Sequence, residues 1–181
     1  MIGLALRSLR YRAGGFVASF VALFLGTAIV MAFASLLETA AADEVSAASR
    51  ETLVVMASVV GGWGLVIVTF AVVSTLSLSV RQREREMAVL KNVGATPAQI
   101  GRMIVGEAAV VAVVAGALAI PPAMLGGRLV LDLLVATDQV APDVPHRFGG
   151  LTIGVGLGIG VVAAVLAAVL SARRTLRLRA T

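Results

Sequence analysis

The chain has no cysteine, one histidine, one lysine and an aromatic content of 4%, and each scarcity removes a class of chemistry. Without cysteine there is no disulfide, no haem thiolate and no cysteine metal site, and the redox compartment is left undetermined. The lone His146 stands near Asp143 in a polar stretch. One imidazole and one carboxylate are too small a set for a transition-metal site or a catalytic triad, so His146 reads as a solvated loop residue. Lys91 is the only lysine and no GxxxxGK[ST] loop precedes it, which leaves the chain without a nucleotide phosphate cradle of its own. The few aromatic rings do not supply the stacking platforms of nucleic-acid binders, so the net charge of +5 does not point to nucleic acid. No series of Asp, Glu and His runs through the apolar stretches, which disfavours a small proton-coupled carrier.

What the chain has in excess is apolar sequence: 59% hydrophobic residues and a mean hydropathy of +1.01, against roughly 45–50% in a soluble domain. Four stretches carry no charge at all, residues 13–37, 52–80, 108–127 and 148–172. Each reaches the roughly 20 residues that a helix rising ~1.5 Å per residue needs to cross the hydrocarbon. The expected fold is therefore an all-α integral membrane protein with four transmembrane helices, at about 14–37, 53–80, 103–135 and 150–172. The third should bend or break at Pro121-Pro122, where two amide donors are missing. The second is longer than the bilayer core and must tilt or protrude. Trp63 in it is either an interfacial anchor or a packing residue.

Charge placement orients these spans. Arg7, Arg10 and Arg12 precede the first; Arg81, Arg83, Arg85, Lys91 and Arg102 lie between the second and third; Arg173, Arg174, Arg177 and Arg179 follow the fourth. The other two connections are dominated by Glu38, Asp43, Glu44, Glu51, Asp132, Asp138 and Asp143. Cytoplasmic loops collect basic residues, which places both termini and the middle loop in the cytoplasm of a cell-membrane protein. The basic residues then lie beside anionic lipid headgroups. Residues 1–12 carry Ile2, Leu6 and Leu9 at helical spacing, as expected of a short amphipathic helix on the inner surface. A cleaved signal peptide is not expected, because a full-length span follows.

Gly154, Gly156, Gly158 and Gly160 set two small-xxx-small pairs in the last span, and such pairs allow close helix packing in lipid. Between spans two and three, residues 79–93 are mostly good helix formers and Gly94 is placed to stop them. Thr96, Pro97 and Gln99 then restart a helix as N-cap, first residue and capping-box partner. In the first of these helices Met87, Leu90 and Gly94 recur at three- to four-residue spacing among Arg83, Glu84, Arg85, Glu86 and Lys91. Exposed ion pairs at such spacing contribute only ~0.2–0.5 kcal/mol each, too little to explain that charge density. A solvated loop obeying the charge rule is the plain alternative. Glu107, one turn inside the third span, is either a structural polar contact or a coupling element.

Residues 85–100, Arg-Glu-Met-Ala-Val-Leu-Lys-Asn-Val-Gly-Ala-Thr-Pro-Ala-Gln-Ile, followed by Glu107 in an apolar context, resemble the signature of FtsX/MacB-type ABC transporter permeases. The layout of one span, a gap and three more spans fits the same family, with residues 13–181 as the permease domain. The resemblance implies a cytoplasmic coupling helix around residues 85–94 that contacts a separate ABC ATPase. Met87 and Leu90 would sit in its groove, with Arg85, Glu86 and Lys91 at the rim and Gly94 at the end of the contact. It also implies a second permease copy or half, and no enzymatic activity or cofactor in this chain, ATP-Mg being bound by the partner. Family members commonly carry a large domain between spans one and two, where this chain has only a short loop. The function expected is coupling of ATP hydrolysis to export or to transmembrane mechanical signalling. The alternative is a non-transporting scaffold that assembles partner proteins. The chain is expected to be either a subunit or one half of a longer permease.

Overall fold

The computed structural model describes residues 2–82 and 96–177, and every regular element among them is helical. Helix α1 spans Ile2–Ala40 and a short α2 spans Ala47–Val55. A π-helical turn, Met56–Val60, joins α2 to α3, Gly61–Gln82; α4 spans Pro97–Ala136 and α5 spans Gly150–Arg177. Four stretches are long and apolar enough to cross a membrane: Val17–Ala40, Ala47–Thr75, Gly101–Ala136 and Gly150–Val169.

Three boundaries differ from those expected. Residues 1–12 are not a separate element, because α1 continues unbroken from Ile2 through Gly14 and Gly15; glycine weakens a helix by about 1 kcal/mol without ending it. The second span starts earlier, where Ser46 caps α2 by accepting a hydrogen bond from the Ser49 amide at 3.3 Å. Arg50 and Glu51 ended the charge-free run but not the helix, since the Arg50 guanidinium reaches back to the Ala42 carbonyl at 2.9 Å. The third span is not broken: both Pro121 and Pro122 lie inside a continuous α4. They are exposed, while Ala112, Ala115, Ala119, Ala123 and Gly127 keep one buried stripe running past them. Each proline removes a donor to the carbonyl four residues back, and those carbonyls belong to Ala117 and Leu118, also on the exposed face. Packing on the opposite face therefore stays continuous.

Helix α1 is the centre of the bundle, packed against α3, α4 and α5, and α5 in turn touches both α3 and α4. Consecutive in the chain, α3 and α4 nonetheless lie on opposite sides of the α1–α5 pair. Two apolar cores result. One gathers Leu23, Val72, Ala112, Ala115, Ala164 and Ala167 toward the end where α3 stops and α4 starts, called here the basic end. The other joins Leu36, Val45, Leu53, Leu131, Leu134 and Val140 at the opposite, loop end. Trp63 is 69% exposed, so it is not packed into the core of the described residues.

Candidate functional site

At the basic end the described chain leaves α3 at Gln82 and returns at Thr96. The expected ATPase-contact residues Arg85, Glu86, Met87, Leu90, Lys91 and Gly94 all fall between these points, outside the described residues. Their frame is well defined on the α4 side. The Thr96 side chain accepts from the Gln99 amide at 3.3 Å and the Gln99 side chain accepts from the Thr96 amide at 2.9 Å, with Pro97 opening the helix. This is the capping box that the sequence pattern gives, and it supplies side-chain acceptors to two amides at the start of the helix. Glu107 is half-buried, directly before the core residue Ala108 and one turn before Val111.

At this end α3 and α4 sit on opposite sides of the α1–α5 pair. Among the described residues α3 and α4 pack mainly on α1 and α5 rather than on each other.

The glycines of α5 divide by face. Gly156 and Gly160 are buried against α1: an added Cβ at Gly156 would meet the Met31 side chain, and one at Gly160 would stand 2.8 Å from Thr27 Oγ1. Gly154 and Gly158 are exposed with open space where a Cβ would go. Among the described residues only one of the two small-xxx-small pairs therefore packs against another helix. Across the bundle Gly116 of α4 closes on Thr27 and Leu157, so Thr27 is held between two glycine-bearing helices.

The loop end carries a polar cluster that the sequence reading did not find. One turn of α1 presents Ser35, Glu38 and Thr39 to the connection between α4 and α5. The Glu38 carboxylate accepts from the amides of Gly149 at 3.0 Å and Thr152 at 2.9 Å and from the Thr152 hydroxyl. It thereby caps the N-terminus of α5 from another helix, where a negative charge is favoured. Thr39 Oγ1 donates to the Ser35 carbonyl at 2.8 Å and accepts from the Arg147 amide at 3.0 Å. The Ala141 amide donates to Ser49 Oγ at 3.1 Å, tying the same connection to α2.

His146 belongs to this cluster rather than to solvent, which corrects its reading as a solvated loop residue. Its Nε2 lies 3.1 Å from Ser35 Oγ, and Gly127 of α4 leaves room for both. Burial, and then the positive charge of Arg128, hold its pKa below the ordinary imidazole value, with Asp132 acting in the opposite direction. The signal for the cluster was Glu38 with Ser35 and Thr39 at helical spacing at the end of an apolar run. Nothing in the sequence named its partners, which are more than a hundred residues away. Among the described residues no group of three His, Cys, Asp or Glu could hold a metal ion.

A family model described as FtsX-like permease C-terminal matches residues 58–180. The match takes in α3, α4 and α5 together with the residues between α3 and α4. Neither the curated proteins nor the solved structures contain a match to the chain.

Proposed function

Because this chain belongs to the FtsX-like permease family, and is thus a multi-pass membrane protein of the ABC transporter permease type, we propose that it is the permease subunit, or half, driven by a separate cytoplasmic ATPase. Residues 85–94 form the coupling helix. Met87 and Leu90 enter the ATPase groove, Arg85, Glu86 and Lys91 pair at its rim, Gly94 closes the contact, and ATP-Mg stays in the partner. Two permease copies or halves meet two ATPase subunits in the cell membrane, with the basic end and both termini cytoplasmic. Closure of the ATPases pushes the coupling helix, and α3 and α4 move against α1 and α5. The output is export of a substrate or a mechanical signal across the bilayer, with Glu107 as a coupling element near the start of α4.

The observation that carries this reading is the family match over the one segment whose flanking helices are held apart by the bundle. Burial of Leu90 against a partner is worth about 1.5–3 kcal/mol, and a buried aspartate in its place reverses that sign. An ATPase subunit should therefore co-purify with the wild type. Leu90→Asp combined with Arg85→Glu and Lys91→Glu should abolish recovery while membrane insertion is retained. Equal recovery with the triple variant would reject the assigned contact.

A further inference from the structure

We propose that the exposed face of α4 from Ala117 to Asp132 lines a water-filled cleft that opens at the loop end and reaches the middle of the membrane. Pro121 and Pro122 stand side by side inside a continuous helix. The Leu118 carbonyl therefore has a proline at both the third and the fourth residue after it, so neither a tight nor a regular helical bond can reach it. The Ala117 carbonyl loses its regular donor at Pro121. Both residues are exposed, on the side of α4 opposite its buried stripe. From Ala108 to Gly127 α4 has no side chain that could donate in place of the missing amides.

Depth decides what can satisfy these carbonyls. Gly116, the residue before Ala117, closes on Thr27 of α1. From Thr27 to Glu38, just past the charge-free run, a rise of ~1.5 Å per residue gives about 16 Å, half of a hydrocarbon core of ~30 Å. The two carbonyls thus sit near the bilayer middle. Acyl chains offer no donor there, and backbone groups released from a helix are tolerated at that depth only against protein or water. A second copy of the same face does not answer the need, because its exposed side chains from Val110 to Leu125 are all apolar. Water can donate to both carbonyls.

The same stripe turns charged toward the loop end. Arg128 and Asp132 continue the line of Leu118, Pro121 and Leu125 at three- to four-residue spacing, and both are exposed. Gly127 packs against Ser35 of α1, so Arg128 lies about one turn, ~5 Å, inside the level of Glu38. Charged side chains within a membrane span face a bundle interior or a water-filled cavity. Arg128 and Asp132 therefore mark the mouth of the cleft, and the Ala117 and Leu118 carbonyls its inner end. Snorkelling of Arg128 draws water to its own level, but not to Leu118, ~15 Å further along the helix. The cleft rests on the chain spanning a membrane and not on the ATPase contact, so either can fail without the other.

The natural absence of cysteine permits a clean test. Leu118→Cys, Leu125→Cys and Leu129→Cys, each at an exposed position, are made singly in the full chain. Native membranes, opened so that both faces meet the reagent, are treated with a charged methanethiosulfonate. Phe70→Cys is the control: Phe70 is 75% exposed on α3, and Gly26, the neighbour of Thr27, closes on Val68 and Val72, which puts Phe70 at a similar depth. Only the thiolate reacts, and each unit by which an apolar surrounding raises the thiol pKa slows the reaction about tenfold. All three α4 cysteines should therefore react at least about tenfold faster than Phe70→Cys. Leu118→Cys as slow as Phe70→Cys overturns the cleft even if Leu129→Cys reacts, because lipid or another protein then covers the inner part of the face. Phe70→Cys as fast as Leu118→Cys overturns it as well, because water at that depth is then not particular to α4.

Discussion

At the scale of single residues the chain separates positions that look alike in the sequence. Four glycines at alternate positions of α5 offer two equivalent packing pairs on paper; only the pair at 156 and 160 faces α1. The choice depends on the rotation of α5, which is fixed by the Glu38 cap at its start and by Ala164 and Ala167 in the core further along. Gly156→Val and Gly160→Val should each destabilise the folded chain by about 1–3 kcal/mol, because the branched side chain is forced into Met31 or Thr27. Gly154→Val and Gly158→Val should leave thermal unfolding in detergent unchanged. Similar losses at all four sites would mean that α5 is rotated differently. His146 carries the opposite lesson. Its type and its polar neighbours argued for solvent, but its environment is made by Ser35 and Gly127, which only tertiary contact supplies.

At the scale of elements, the number and type of helices could be read from the length of the apolar runs, and the start of α4 from Thr96, Pro97 and Gln99. The boundaries that went astray did so for one physical reason: a charge or a proline was treated as an end. Arg50 and Glu51 sit comfortably in α2, since a polar side chain near the membrane edge does not interrupt backbone hydrogen bonds. Pro121 and Pro122 do interrupt them, yet the buried stripe of α4 continues past both, and helix packing outweighs the two lost bonds. If the prolines are tolerated rather than required for the helix path, Pro121→Ala with Pro122→Ala should preserve the fold and raise the unfolding temperature. Each interior proline costs up to ~3 kcal/mol relative to alanine, which sets the upper bound of the gain. A double variant less stable than the wild type would show that α4 needs a distortion there.

At the scale of the whole molecule, charge and packing divide the chain into two ends with different jobs. The loop end is closed by polar grips and its own core, and at the basic end α1 and α5 keep α3 and α4 apart. The sequence motif found the segment between α3 and α4, but it could not tell that these two helices, neighbours in the chain, are not neighbours in the bundle. Pairing of helices across a bundle is decided by the sum of many small contacts, such as Gly26 on Val68 and Gly116 on Leu157, none of which is marked locally. Contact between Ser49 and Ala141 fixes both short connections at one end, so they must share one side of the membrane whatever the orientation. With the orientation proposed, single cysteines at Ser46 and Asp143 should both react with a membrane-impermeant maleimide in intact cells. A cysteine at Thr96 should react only after permeabilisation. Labelling of Ser46 without Asp143 would contradict the packing of the loop end. Labelling of Thr96 alone would keep the bundle but turn it over, placing residues 85–94 beyond the reach of any cytoplasmic ATPase.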